Sequence, residues 1–135
     1  MPSYETIVRR MKSRFSLRVR KWRRQMSGCA WRVRYGDGRT INWVEAPRPR
    51  TPISLAIFLH EVGHHAIGFD GGLPRCEEEY RVWGWTLDAM HDLGVRPDGR
   101  VMRRVELSMQ YALRKAIRRG LKTVPQELRR FLPAA

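Results

Sequence analysis

Hydrophobic residues near the N-terminus recur at roughly the spacing of a helix, from Ile7 through Trp22 to Met26. Arginine and lysine occupy the other faces of this segment, and Ser3 is a suitable N-cap. The pattern therefore predicts a basic amphipathic helix, which forms an extension of the fold over residues 1–28.

A glycine-rich turn at residues 36–38 is flanked on both sides by alternating hydrophobic and polar positions. Trp31 and Val33 alternate with arginines before the turn, and Ile41 and Trp43 alternate with other residues after it. Alternation on both sides of such a turn predicts a β-hairpin. Three closely spaced prolines follow and predict an extended connection.

The second half of the chain has the hydrophobic spacing of helices. Residues 53–67 are nearly all apolar, which suits a buried helix of about four turns. Further helices are predicted over residues 77–93, from the N-cap Asp98 to Gly120, and over residues 123–132.

Together these elements predict an α+β fold in which a small antiparallel β-hairpin or sheet packs on helices. Residues 29–95 form the predicted core, and basic C-terminal helices over residues 96–135 pack on it. Within the core, Gly63 and Gly84 are predicted to allow close approach of neighbouring elements.

The net charge of +14, from 27 basic residues against 13 acidic ones, is unevenly distributed. Residues 1–34 carry eleven basic residues and one acidic residue, and residues 93–135 carry eleven and three. Residues 60–92 reverse the sign, with seven acidic residues against two arginines, and they contain all four histidines. This acidic segment between two basic arms marks the candidate site.

Two basic clusters, Arg9–Arg24 and Arg114–Lys122, are candidates for binding an acidic partner. Nucleic acid is one such partner, because basic residues bind phosphates and the nearby Trp22 and Trp31 can stack on bases. A basic amphipathic helix also suits an anionic membrane surface or an acidic protein, and the same charge is typical of a solvated surface.

The composition argues against a membrane-spanning or secreted protein. No apolar run approaches the ~20 residues that a membrane-spanning helix needs. The basic N-terminus is not followed by a hydrophobic signal region with a small-residue cleavage site. The two cysteines, Cys29 and Cys76, are too few for a disulfide scaffold or a four-cysteine zinc site. We therefore expect a cytoplasmic protein without a transmembrane segment.

The sequence His60-Glu61-Val62-Gly63-His64, of the type H-E-x-x-H, lies inside the predicted buried helix. Residues four apart share a helical face, so both imidazoles can bind one Zn²⁺ ion. Glu61 is rotated by about 100° from His60 and can reach a water molecule beside the metal. It would act as the general base that removes a proton from that water.

The third zinc ligand is expected among the acidic residues that follow the motif, because catalytic zinc usually has three protein ligands. Glu77, Glu78 and Glu79 open the next predicted helix. Trp83 and Met90 follow Glu79 at helical spacing, which places Glu79 on an inward face and makes it the predicted ligand. The other two glutamates would complement the dipole at the N-terminus of the helix.

The motif and the segment Glu77–Gly84 together resemble the ImmA/IrrE group of gluzincin-type metallopeptidases. That group has an H-E-x-G-H helix, followed by a helix that opens with the pattern E-x-E-A-x-x-F-A. Glu79, Trp83 and Gly84 match the last Glu, the Phe and the small residue of this pattern, whereas Tyr80 replaces the usual Ala.

The resemblance covers about residues 30–92 and implies a zincin-like core with a β-hairpin ahead of the motif helix. It implies a zinc endopeptidase with His60, His64 and one glutamate as ligands and Glu61 as the catalytic acid and base. Members of this group often cut DNA-bound repressors, which suggests a nucleic-acid-bound protein as a substrate.

Two other families of zinc peptidase offer different third ligands. Asp70 occupies the last ligand position of the metzincin pattern, although Ile67 stands where that pattern has its turn glycine. The SprT-type proteases use a third histidine, for which His65 and His91 are the nearest candidates. The helical angle of His65 favours a role outside the ligand set.

We therefore predict a zinc-dependent metalloendopeptidase, with the strand Ile41–Val44 pairing with an extended peptide substrate. The alternative is a nucleic-acid-binding protein whose zinc site is structural or inactive, and a regulator that acts by binding alone is a third class. Glu61 favours the enzyme, because a structural zinc site needs no such base.

Overall fold

The computed structural model describes residues 1–133, and this range contains four α-helices, a three-stranded sheet and a short 3₁₀ helix. In chain order the elements are α1 (Tyr4–Arg14), β1 (Leu17–Arg23), β2 (Cys29–Arg34), β3 (Thr40–Pro47), α2 (Pro52–Ile67), α3 (Arg75–Asp92), α4 (Gly99–Arg118) and the 3₁₀ helix Gln126–Phe131. The predicted α+β class is confirmed. None of the helices in this described range is both long and apolar enough to cross a membrane.

The N-terminal segment is a helix followed by a strand, so the prediction of one helix over residues 1–28 is wrong beyond α1. Ser16 adopts a φ of 52°, which breaks the helical path. Leu17 and Val19 then alternate with arginines and pack toward the core, which is the spacing of a strand. Trp22 fits both spacings, and hydrogen bonding to β3 selects the strand.

The sheet has the strand order β1-β3-β2, with β3 in the centre. β2 and β3 form the predicted hairpin, with Trp31 opposite Trp43. β1 runs parallel to β3, with Val19 opposite Val44, so the sheet is mixed rather than antiparallel as predicted. Because β3 pairs on both sides, the prediction that Ile41–Val44 pairs with a substrate is wrong. The free edges of the sheet belong to β1 and β2.

Helix α2 lies at the centre of the fold, where it packs against the sheet, α3 and α4. All residues from Ile53 to Gly63 are buried, and the helix predicted over residues 53–67 is confirmed. The hydroxyl of Thr51 accepts a hydrogen bond from the backbone N–H of Ser54, which caps the N-terminus. Gly68 ends the helix with a φ of 92°, a value that favours glycine.

One hydrophobic cluster joins the N-terminal, central and C-terminal parts of the chain. Ile7 of α1, Phe58 of α2, Met109 of α4 and Leu128 of the 3₁₀ helix are all buried in it. The predicted C-terminal helices are present, although the last is a 3₁₀ helix. Residues 134–135 of that predicted segment lie outside the described residues.

Helices α2 and α3 approach each other closely at Gly63. A Cβ atom at this position would lie 3.0 Å from Cγ1 of Val82 and 3.1 Å from Cε3 of Trp85, so the predicted close approach is confirmed. The prediction is wrong for Gly84, which is exposed and where an added Cβ would meet no atom within 4 Å. Because Gly63 lies between the two motif histidines, its contact with α3 brings that helix next to the motif.

Candidate metal centre

Helix α2 carries the histidines and the glutamate of the motif into the interior of the fold. His60 and Glu61 are only 8% and 6% exposed, and His64 lies one turn further along the helix. The ring centroids of His60 and His64 are 5.0 Å apart, as expected for residues four apart on a helix. The two imidazoles can therefore reach a common point.

Glu79, in the second turn of α3, places its carboxylate between the two imidazoles. Its Oε2 lies 3.1 Å from Nε2 of His60, and its Oε1 lies 3.2 Å from Nε2 of His64. One ligand atom from each of the three residues lies within 4.8 Å of the others. The residues predicted as metal ligands are thus brought together, and the group is close enough to hold a metal ion.

The electrostatics of this group favour a bound cation. Burial opposes the charge on Glu79, but hydrogen bonds from His60 and His64 outweigh it and hold the pKa of Glu79 well below its usual range. Burial likewise acts to lower the pKa of His64, but the bond to Glu79 outweighs it and raises that pKa. A divalent cation between neutral imidazoles and an ionised carboxylate satisfies the same need for positive charge, so the donor set fits Zn²⁺.

Aromatic packing orients the imidazole of His60. The ring of Trp83 lies 4.2 Å from it between centroids, with 33° between the planes. Nδ1 of His60 is buried and has no hydrogen-bond partner among residues 1–133. Packing on Trp83, rather than a hydrogen bond to Nδ1, therefore fixes the ring with Nε2 toward Glu79.

The three consecutive glutamates of α3 have separate environments. Glu79 joins the histidines, whereas Oε1 of Glu78 lies 3.6 Å from Nδ1 of His64, on the far side of that ring. A carboxylate in this position orients a ligand imidazole and increases its basicity. Glu77 makes no ion pair with either histidine and lies in the first turn of α3, where it complements the helix dipole.

The alternative third ligands lie outside the group. Asp70 is exposed in the connection between α2 and α3, and His91 is exposed in the last turn of α3. His65 is buried and donates a hydrogen bond from Nε2 to the carbonyl oxygen of Trp43, over 2.9 Å. Burial lowers the pKa of His65, so this imidazole is a neutral structural group that joins α2 to β3.

Among residues 1–133, no cationic side chain donates a hydrogen bond to Glu61, and this distinguishes it from Glu79. Burial raises the pKa of Glu61. The backbone passes directly over this side chain at Gly28, where a Cβ atom would lie 2.6 Å from Oε2 of Glu61 and 2.8 Å from the carbonyl oxygen of Glu45. From the sequence, Gly28 signals only the end of an element, so its contact with Glu61 was not predictable.

The group opens into a cavity of about 460 Å³, a size typical of ligand-binding sites. Its walls come from the start of β2, from α2 and α3, and from one face of α4. Tyr111 of α4 also lines it. Glu61 and the three candidate ligands all line this cavity.

The residues in and around the two predicted basic clusters have different surroundings in the fold. Trp22 packs on Phe58, and Arg48 covers its ring, so it is not free to stack on a base as predicted. Arg20 and Arg23 both pair with the carboxylate of Glu45. Of the basic residues within Arg114–Lys122, two line the cavity and the others do not; the basic residues that line it are Lys115 and Arg119.

Comparison with known proteins supplies no family for this site. No family model, no curated protein and no solved structure matches the chain. The resemblance to the ImmA/IrrE group therefore rests on the motif and the segment Glu77–Gly84, and it stays a prediction.

Proposed function

We propose that this protein is a zinc-dependent metalloendopeptidase, with His60, His64 and Glu79 as zinc ligands and Glu61 as the general base. One observation carries the proposal: three ligand atoms converge within 4.8 Å, in a cavity that also contains the buried carboxylate of Glu61. A site that only stabilised the fold would need no additional carboxylate of this kind.

The donor set supports zinc over other common metals. Two imidazole nitrogens and one carboxylate oxygen form a typical catalytic zinc site, whereas calcium and magnesium prefer oxygen ligands alone. Three protein ligands also leave one coordination position for water or substrate. When bound, zinc lowers the pKa of a water molecule and polarises a substrate carbonyl.

Glu61 has the properties required of the group that moves the proton. Burial raises its pKa, which makes its carboxylate a stronger base than an exposed glutamate. It accepts a proton from the attacking water and passes that proton to the nitrogen of the departing amine. The backbone at Gly28 packs directly against it, because a Cβ atom at that position would lie 2.6 Å from Oε2 of Glu61.

The free edge of β2 is the element best placed to bind an extended substrate. Cys29 and Ala30 of this strand line the cavity, and only one side of β2 is paired, with β3. A peptide that adds to this edge would gain main-chain hydrogen bonds and run past the candidate metal ligands. This geometry agrees with the zincin-like core that the resemblance to the ImmA/IrrE group implies.

The test is hydrolysis of casein by zinc-loaded protein, with the Glu61→Gln variant as the matched control. We expect cleavage by the wild type, none by the variant, and one zinc ion per chain in both. Equal activity of the two proteins would show that any cleavage comes from a contaminant or another site, and the proposal would fail.

A second candidate function, nucleic-acid binding, has support in the sheet. The indoles of Trp31 and Trp43 stack with centroids 6.3 Å apart, and Arg18 lies opposite Trp43 in the register of β1 and β3. Trp43 alternates with the buried Val44, so its side chain lies on the face of the sheet away from the core. Basic residues beside partly exposed aromatic rings suit single-stranded nucleic acid.

This second function is tested with a labelled single-stranded oligonucleotide at increasing salt. We expect binding that weakens with salt and that is lost in Trp31→Ala, with Arg24→Ala as a control for charge alone. If the oligonucleotide does not bind at low salt, this face of the sheet is only a solvated surface. A substrate protein bound to nucleic acid would join the two functions.

A further inference from the structure

One face of α4 forms a long wall of the cavity. Small residues and one tyrosine line its middle, and basic residues stand at both ends; the lining residues are Arg104, Ser108, Tyr111, Ala112, Lys115, Ala116 and Arg119. From position 104 to position 119 a helix rises by about 22 Å, at about 1.5 Å per residue. An extended peptide covers that distance with about six or seven residues.

Four arginine and lysine side chains line this cavity, and one of them, Arg104, donates a hydrogen bond to the carbonyl oxygen of Met26 over 2.7 Å. The other three are Arg75, Lys115 and Arg119, and none of them lies within 4.0 Å of a carboxylate among residues 1–133. The carboxylates that line the same cavity are those of the site; they are Glu61, Glu78 and Glu79. The cavity thus presents positive charge, at Arg75 of α3 and at Lys115 and Arg119 of the α4 wall, that no carboxylate among the described residues neutralises.

We propose that this wall, together with Arg75 at the start of α3, selects an acidic peptide segment, whose carboxylates pair with Arg75, Lys115 and Arg119. The inference rests on the proposed function, since it names the class of peptide that the endopeptidase takes. Carboxylates held in a partly enclosed cavity gain from these cations, and a basic segment is repelled by them. The cations therefore favour the binding of acidic segments and disfavour the binding of basic ones.

A peptide fits the cavity better than a nucleic acid of the same charge. Three carboxylates stand beside the candidate ligands, and a phosphate backbone, charged at every unit, would face repulsion over them. A peptide can place uncharged residues over Glu61 and Glu79 and carboxylates against Lys115 and Arg119. The cavity therefore requires a ligand in which charged and uncharged groups alternate along its length.

The test is binding of two fluorescent ten-residue peptides to the zinc-loaded Glu61→Gln variant, which binds without turnover. One peptide contains Asp and Glu, and the other has Asn and Gln at the same positions. We expect the acidic peptide to bind at least about tenfold more tightly at low salt. Adding Lys115→Ala and Arg119→Ala should remove most of that preference and leave binding of the neutral peptide unchanged.

The matched control is the pair Arg114→Ala and Arg118→Ala, which removes the same charge from exposed positions of α4 outside the cavity. We expect this pair to change binding by no more than about twofold. Equal loss in both pairs would trace the preference to net charge and overturn the inference. So would equal binding of the two peptides by the Glu61→Gln variant.

Two further outcomes separate this inference from the proposed function. Zinc- and Glu61-dependent cleavage of casein without any preference for acidic peptides would overturn the inference and leave the peptidase intact. Charge-dependent peptide binding at Lys115 and Arg119 without cleavage of any peptide would overturn the proposed peptidase function and leave the inference about peptide binding intact. If a ten-nucleotide single strand displaced the acidic peptide and its binding depended on the same two residues, the wall would be a nucleic-acid-binding surface. The inference would then fail.

Discussion

Two carboxylates of this protein, the buried Glu45 and the half-buried Glu79, each lie between two basic side chains, and these partners make them different. Glu45 accepts hydrogen bonds from Arg20 at 2.5 Å and from Arg23 at 2.9 Å, and these bonds lower its pKa. Glu79 lies between the imidazoles of His60 and His64. Guanidinium groups keep their charge at any ordinary pH, whereas imidazoles release protons and then bind metals.

The comparison separates a structural ion pair from a site for an exchangeable cation. The charge of Glu45 is neutralised permanently by the protein itself. Glu79 instead lies between two imidazoles, and these three residues together are close enough to hold a metal ion. Glu61 is a third case, because it is buried without a cationic partner that donates a hydrogen bond to it, and burial raises its pKa. Each carboxylate thus has the surroundings that its proposed role requires.

The largest expected effect distinguishes Glu61 from Glu45 by their contributions to the rate of peptide hydrolysis. Replacing the general base by Glu61→Gln should lower kcat/KM for a peptide substrate by about 10²–10⁴-fold, because proton transfer to the side chain is lost. Glu45→Gln removes a carboxylate outside the site and should leave kcat/KM within about threefold. Steady-state kinetics on zinc-loaded proteins measures both, and similar losses in the two variants would contradict the separation.

The next effect concerns zinc content. His60→Ala, His64→Ala and Glu79→Ala should each abolish stoichiometric zinc, measured by elemental mass spectrometry on the purified protein. Glu78→Gln should weaken zinc binding by about 10–100-fold, because it removes the carboxylate behind His64. Asp70→Ala is the control and should keep a full equivalent of zinc; loss of zinc in that variant alone would favour the metzincin pattern.

A smaller effect is expected from Gly28→Ala. The new methyl group would lie 2.6 Å from Oε2 of Glu61, so the base must move, and a displacement of about 1 Å can cost about 10²-fold in rate. Zinc content should stay at one equivalent, since the ligands are not displaced. The control is Gly36→Ala, where an added Cβ meets nothing within 4 Å. Unchanged kinetics in Gly28→Ala would show that Glu61 is not confined there.

The smallest effect is the pH dependence of the Glu45 ion pair. Because the pKa of Glu45 is lowered in the folded state, the pair stabilises the fold above the unfolded pKa, near 4.5, and loses this effect as pH falls through the folded pKa. Wild type and Glu45→Gln should therefore differ in free energy of unfolding at pH 7 and converge at strongly acidic pH. Urea unfolding at several pH values measures this, and a difference that grows on acidification would contradict it.

The sequence predicts the elements whose patterns are local. The apolar run before Gly68, the N-cap Asp98 and the alternation around residues 36–38 each identify an element that the structure contains. The phase of Glu79 with Trp83 also predicts which glutamate meets the histidines. In each case the signal lies within one or two turns of the chain.

Features that depend on distant parts of the chain were not predictable in this way. β1 is a strand because it pairs in parallel with β3, more than twenty residues further along the chain, and its periodicity alone is ambiguous. The contact of Gly28 with Glu61 requires the path of the connection before β2. The direction in which Lys115 and Arg119 face depends on the packing of α4 and not on its spacing.

The central claim is that His60, His64 and Glu79 hold zinc, and X-ray absorption at the zinc edge of the purified protein tests it most directly. The account predicts one zinc per chain, with two imidazole nitrogens at about 2.0–2.1 Å and carboxylate oxygen at about 2.0–2.2 Å. The zinc signal should be lost in His64→Ala, because that variant no longer holds stoichiometric zinc. Absence of stoichiometric zinc, or a shell containing sulfur from Cys29 or Cys76 at about 2.3 Å, would contradict it.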